Sequence, residues 1–328
     1  MIKANVFIAL FLLLTHCTST SDEHQKKALS INDFVFDGPL GSEGAEIEQV
    51  GNNHFKITLS HAPKHENWAN NTQFVIYENA KGNKLTLDVS FPHEKPKYLF
   101  NNNFVSWSYD MEHWHPVEWM YRPEKSLNND RLVFPMFERD TVYVGYQVPL
   151  SYEKLEEYLN RWDKNPFVHV HVIGKSTEDK NIYRLVLSDG SESFEEPWVH
   201  YFSNQHAGEH NSQWRMIGMV NYLLGEGRDY LKKSIHHFIF LSSPDAPKHG
   251  WYRVNREGRD LNREYLNSGS DSIKQSREGY LIQRDFEQLM NSKNPPHTAW
   301  AMHTWVVPVE IWMNPGPEVG KKIGNWKE

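Results

Sequence analysis

Residues 197–224 read PWVHYFSNQHAGEHNSQWRMIGMVNYLL. The opening PWVHYFS is aromatic and β-branched, as a strand is, and SQWRMIGMVNYLL (212–224) has helical apolar spacing. Between them, SNQHAGEHNSQW (203–214) holds His206, Glu209 and His210. A strand that breaks into a polar turn and re-enters as a helix is the repeating joint of α/β domains. Such domains bind ligands at the carboxyl ends of their strands. His206 and Glu209 are spaced i, i+3, so a turn entering a helix can aim both at one point. An imidazole nitrogen and a carboxylate oxygen are good zinc ligands. Taken alone, the pair is equally well read as a polar helix start.

Working outward, the same alternation continues on both sides. LSYEKLEEYLNRW (150–162) puts Leu155, Tyr158, Leu159 and Trp162 on one helical face, with Ser151 placed to cap it. FVHVHVIG and NIYRLVLSD read as strands before the joint. HHFIFLSS (236–243) reads as a strand after it, REGYLIQRDFEQLM (277–290) as a helix, and TAWAMHTW (298–305) as extended. Strand and helix in alternation predict an α/β domain with a parallel or mixed sheet over 149–328. Earlier, HFKITLS (54–60), QFVIYENA (73–80), KLTLDVSF (84–91) and NFVSWSYD (103–110) are short alternating runs broken by KGNK and FNNN. Strands in succession without helices predict an antiparallel β-sandwich over 28–148.

The chain has 328 residues, enough for two domains with cores of their own. Its net charge is −7 and no basic block stands out, which argues against nucleic-acid binding. At the start, Lys3 precedes an apolar run from Val6 to Leu14 that is too short to span a bilayer and suits a signal peptide. The single cysteine, Cys17, follows directly, so no intrachain disulfide can form. LTHC resembles a bacterial lipoprotein signal, although His16 departs from the small residue expected there. An ordinary secretory leader with an incidental cysteine is the other reading. Either way, residues 1–27 are expected to be a signal peptide and polar tether. The protein is expected to be bacterial and secreted or in the cell envelope, touching membrane only through a lipid anchor at Cys17.

Two further segments complete a constellation. HGWYRVNREGRDLNREY (249–265) gathers Arg253, Arg256, Arg259 and Arg263 around Asn255, Asp260 and Asn262. Arginine forks match carboxylates, but surface salt bridges explain such a loop as well. AWAMHTW carries His303 near the end of an apolar strand, completing a His, Glu, His set with His206 and Glu209.

HxxE, then YR with GRDLNR, then a strand-borne histidine: this order resembles the zinc metallocarboxypeptidase family. STEDKNIYRLVLSD resembles that family's early strand pair. SWSYD and VGYQVPLSYEKLEEYL are similar to the linker of its cytosolic-carboxypeptidase-like branch, which carries an amino-terminal β-sandwich. The resemblance covers most of the chain after about residue 30. It implies an α/β/α mixed-sheet domain in which His206, Glu209 and His303 bind Zn²⁺. Arg253 polarises the scissile carbonyl and stabilises the oxyanion. Asn262 and Arg263 clamp the carboxylate of a peptide or protein C-terminus, whose last bond is hydrolysed through a metal-bound water. His210 is expected beside the site or at the surface.

The family's general-base glutamate is expected late in the chain. After His303 the sequence offers only Glu310, Glu318 and Glu328, none at the matching position. The catalytic domain is therefore expected to be incomplete at its C-terminus. Other readings stay open: a pseudoenzyme that binds peptide C-termini, a lipoprotein binding glycan through its Trp-rich sandwich, and a zinc deacylase of N-acyl amino acids. His169 and His171, two apart on a strand, are a further metal pair in principle, but a half-exposed sheet face explains them better.

Overall fold

The computed structural model describes residues 27–91, 105–121, 129–190, 197–265 and 275–304. The amino-terminal strands are β1 (Phe34–Val35), β2 (Glu46–Gly51), β3 (His54–Thr58), β4 (His61–Ala62), β5 (His65–Ala69) and β6 (Phe74–Ile76). They continue as β7 (Lys84–Ser90), β8 (Val105–Ser108), β9 (Trp114–Pro116), β10 (Trp119–Tyr121), β11 (Asn129–Met136) and β12 (Val142–Tyr146). They form two five-stranded sheets, β1-β6-β12-β8-β9 and β10-β11-β7-β3-β2, and a β4-β5 hairpin.

Alternation decides which side chains meet between the sheets. Leu85, Leu87 and Val89 of β7 are fully buried, while the residues between them are partly exposed. They pack with Phe55 and Ile57 of β3, Phe74 and Ile76 of β6, and Val142 and Val144 of β12 in one core. Each such side chain contributes about 1.5–3 kcal/mol by leaving water. The sandwich is not wholly antiparallel. β3 and β7 pair in parallel, from His54↔Thr86 to Thr58↔Ser90, because the chain leaves the sheet through β4 to β6 and returns in the same direction. Trp107 of the Trp-rich segment is 8% exposed, and its Nε1 donates to the Pro116 carbonyl at 3.0 Å. That ring is spent on packing and offers no stacking platform.

The second part runs α1 (Tyr152–Trp162), β13 (Val168–Lys175), β14 (Asn181–Leu187), β15 (Trp198–Asn204), α2 (His210–Leu224), β16 (Ser234–Ile239), α3 (Ala246–His249), α4 (Arg277–Met290) and β17 (Thr298–Met302). Ser151 caps α1 by accepting from the Lys154 amide at 3.1 Å, and Ser276 caps α4 likewise from Gly279 at 3.2 Å. The sheet order is β13-β14-β16-β15-β17. β13, β14 and β16 pair antiparallel, while β15 is parallel to both β16 and β17. Leu155, Leu159, Met216 and Val220 of α1 and α2 cover one face with Phe202 and Phe238. Ile282 of α4 covers the other with Tyr201 and Ile239. The result is an α/β/α mixed-sheet arrangement. Among the described residues, no helix is long and apolar enough to cross a membrane.

His169 and His171 both lie exposed on β13, and neither joins a group of three ligand-type residues among the described ones. His236 is different. It is 8% exposed and stacked among His200, Phe202 and Phe238, and its Nδ1 has no hydrogen-bond partner among the described residues. Burial pushes its pKa down to about 4, and the neighbouring His200 adds to this. A depressed folded-state pKa means the unfolded chain binds the proton more tightly. Stability is thus fully present above the unfolded value near 6.5 and is lost as pH falls towards 4, by about 3 kcal/mol for this group. His236→Phe, which keeps the stack, should flatten the loss of urea-unfolding free energy between about pH 7 and about pH 4.5. An unchanged slope would assign the acid sensitivity elsewhere.

Candidate metal centre

β15 and β17 run side by side in parallel, with Asn204 level with Met302. The chain beyond β15 therefore delivers His206 to the place where the chain beyond β17 delivers His303. α2 connects β15 to β16 across one face and α4 leads from β16 to β17 across the other, on opposite sides of β15, so the site sits at a topological switch point. Glu209 occupies the N-cap position of α2, where the helix terminus favours negative charge.

The turn between His206 and Glu209 is tight because it is pressed against the arginine-bearing loop. A Cβ on Gly208 would lie 2.5 Å from the Tyr252 ring and 2.6 Å from its Cα, and the Gly208 amide donates to the Tyr252 carbonyl at 2.9 Å. Only glycine permits that approach. The Glu209 carboxylate then faces both histidines: His206 Nδ1 lies 2.8 Å from Oε1, and His303 Nδ1 lies 2.8 Å from Oε2. The Thr304 amide also donates to Oε2, at 3.0 Å. One ligand atom from each of His206, Glu209 and His303 lies within 4.8 Å of the others. The His206 and Glu209 side chains are 1% and 5% exposed, whereas His303 is 29% exposed and marks the open side.

A buried polar lattice fixes this triangle. Asn204 Nδ2 donates to Ser212 Oγ at 2.8 Å and to the Met302 carbonyl at 3.3 Å. Ser212 N donates to Thr304 Oγ1 at 3.1 Å. Gln213 Nε2 donates to Asn204 Oδ1 at 3.2 Å and to the Ala207 carbonyl at 2.9 Å. His210 is buried and faces Gln213 Oε1 through Nδ1 at 3.1 Å. Burial lowers its pKa to about 4.

Asp260, named in the arginine loop but given no role there, joins the site. Its Oδ1 lies 3.0 Å from His206 Nε2, and its Oδ2 accepts from Arg253 Nε at 2.8 Å. It also caps the turn Leu261–Arg263 through the Asn262 amide. A carboxylate on the outer nitrogen of a metal-binding histidine fixes ring and tautomer. The aspartate two residues before Asn262 was the available signal. Electrostatics agree. Burial opposes charge on Glu209, yet the hydrogen bonds from His206 and His303 hold its pKa at about 2. Burial likewise opposes charge on His206, but Asp260 and Glu209 raise its pKa. Asp260 is held below the usual carboxylate range, against its own burial, by His206 and Arg253.

The four arginines part company. Arg256 Nη1 bonds Glu43 at 2.8 Å and Arg259 bonds Glu264, so both are structural ties. Arg253 alone is carried to the histidine set, through Asp260. Arg263 is exposed and donates Nη1 to the Asn262 carbonyl at 2.9 Å. Asn262 borders a cavity of about 570 Å³ shared with Gln205, Tyr265 and the near side of α4. Cys17, Glu310, Glu318 and Glu328 lie outside the described residues.

Two histidine nitrogens meeting two carboxylate oxygens suit zinc, whose ligand atoms in a tetrahedral site stand about 3.3 Å apart. Three protein ligands with an open side are the catalytic form of such a site. The residues therefore fit the metal.

Residues 155–300 match the family described as zinc carboxypeptidase. Cytosolic carboxypeptidase 3 of Bos taurus is 30% identical over 188 residues, which is 54% of this chain and 17% of that protein. Cytosolic carboxypeptidase 2 of Danio rerio is 32% identical over 153 residues, 43% of this chain and 21% of that protein. The chain thus spans about a fifth of these relatives. A metallo-carboxypeptidase from Burkholderia cenocepacia superposes with a TM-score of 0.65 at 20% identity, covering 78% of this chain and 67% of that one. A metallo-carboxypeptidase from Pseudomonas aeruginosa, solved in complex with (2-guanidinoethylmercapto)succinic acid, gives 0.60 at 21%, covering 78% and 66%. Residues 155–300 thus carry a match to the zinc carboxypeptidase family, and the chain is similar there to cytosolic carboxypeptidases.

Proposed function

We propose that this protein is a zinc-dependent carboxypeptidase that removes residues from the C-termini of peptides or proteins. The observation that carries the reading is the convergence of His206, Glu209 and His303 on one point, with Asp260 joining that point to Arg253. His206, Glu209 and His303 would hold the metal, and Asp260 would keep His206 in the tautomer that presents Nδ1 inward. Bound there, zinc would supply Lewis acidity and lower the pKa of a water molecule. Arg253 is tied to the site through Asp260, which also meets His206. Its planar cation would polarise the scissile carbonyl and support the negative charge that develops on its oxygen. Asn262 and Arg263 would bind the terminal carboxylate, with Arg263 turning from the Asn262 carbonyl to do so.

The leader-like start and Cys17 support a cell-envelope location, reached through lipidation of that cysteine. The test is zinc content after dialysis together with release of free C-terminal amino acids from a mixed peptide set. Stoichiometric zinc with release supports the reading. Zinc without release, but with saturable peptide binding, favours a protein that holds C-termini without cleaving them. Absence of zinc rejects both. Produced with its leader in bacterial cells, the protein should fractionate with membranes, and Cys17→Ala should release it.

A further inference from the structure

The β4-β5 hairpin belongs to the amino-terminal part of the chain, yet it lies against the loop that carries Arg253. Trp68 of β5 is 5% exposed and packs with Ala62 and Val254 in a small cluster of its own. The Arg253 guanidinium carbon sits 5.5 Å from the centre of the Trp68 ring. The His65 ring stacks on Trp68 at 4.3 Å and 17°. His65 Nε2 reaches the Gly258 carbonyl at 2.6 Å. Gly258 has φ +74°, and a Cβ there would lie 2.4 Å from the Pro63 carbonyl oxygen in the hairpin's own turn. The other end of the loop is tied too. The Asn71 amide donates to the Gly250 carbonyl at 2.7 Å, the Glu43 amide to the His249 carbonyl at 2.9 Å, and Trp251 Nε1 to Glu43 Oε2 at 2.9 Å.

We infer that the β4-β5 hairpin is a positioning element of the site, in which Trp68, backed by His65, sets the plane of the Arg253 guanidinium. A planar cation has to be fixed in direction and in tilt. The Asp260 carboxylate fixes direction through Nε. The ring face of Trp68 fixes tilt by cation–π attraction, which takes up no N–H donor. The amino-terminal sandwich is then part of the active site and not an appendage to it. This rests on the reading that Arg253 acts on substrate. Trp68 and His65 are positioning residues, since neither is placed to touch substrate in that reading.

The experiment compares full-length wild type with Trp68→Leu, Trp68→Phe and His65→Ala. Each is measured for zinc content, kcat and KM on a released C-terminal residue, and deuterium uptake over residues 250–263 against 210–224. Trp68→Leu is expected to keep its zinc and lower kcat about tenfold with KM little changed. It should raise uptake in 250–263 alone, and Trp68→Phe, which restores a ring face, should recover most of both. Unchanged uptake in Trp68→Leu, or a phenylalanine variant no better than the leucine one, overturns the inference. Should Trp68→Leu fail to fold, His65→Ala carries the comparison: raised uptake in 250–263 supports the inference and unchanged uptake overturns it. A wild type that releases no amino acid defeats the proposed function, and the exchange measurement still decides this one.

Discussion

Glu209→Ala is expected to bind zinc more than about 100-fold more weakly than the wild type. Outer-sphere partners alone are worth 10- to 100-fold in metal affinity, and Glu209 would be a direct ligand. Its two oxygens also gather His206, His303 and the Thr304 amide, so removing them leaves three buried or half-buried groups without their acceptor. Each orphaned group costs about 1–3 kcal/mol. Glu209→Gln is therefore the sharper variant. It keeps one carbonyl acceptor and the side-chain volume while removing the charge. Metal analysis after exhaustive dialysis, with circular dichroism as a folding control, reads the outcome. Stoichiometric zinc in a folded Glu209→Gln protein would reject the ligand set.

Arg253→Ala has the second large effect. Loss of a preorganised donor to the developing oxyanion lowers kcat by about 100- to 1,000-fold, and here zinc content should not change. Arg253→Lys should recover little. A point charge on a flexible stem lacks the planar guanidinium that bonds Asp260 through Nε while its central carbon sits 5.5 Å from the Trp68 ring centre. Asp260→Asn separates the two halves of the arrangement, because Asp260 bonds both His206 and Arg253. It should weaken zinc binding as well as turnover. A kcat for Arg253→Ala within about threefold of wild type would remove this residue from the chemistry.

Much of the framework is legible in residue periodicity. The helix expected over 277–290 spans Arg277–Met290, and Ser151 caps α1 as its position suggested. Helical spacing and a capping hydroxyl are local signals, and nothing distant overrides them here. The HxxE turn was legible for the same reason, since i, i+3 residues at a helix start share a direction. What escaped is non-local. Arg256 and Arg253 are alike in sequence, and only the fold shows that Glu43, 213 residues away, claims Arg256. Asp260 reads as one more charge in a polar loop until the fold brings His206 to its other oxygen. The β4-β5 hairpin is short and rich in His, Pro and Lys, so alternation gives no sign of it. The parallel β3–β7 pair is set by connectivity and not by side-chain pattern.

The pairing of β15 with β17 joins residues 98 positions apart, as in His200↔Thr298, the widest separation in that sheet. Such a contact carries the largest loop-closure cost in the sheet, because α2, β16 and α4 lie within the loop it closes. His206 and Glu209 share one local turn, but His303 comes only with β17. A chain without β17 in place would hold two of the proposed ligands and lack the third. Tight metal capture by this set would therefore require the finished sheet, and a bound ion would tie β17 to the turn after β15.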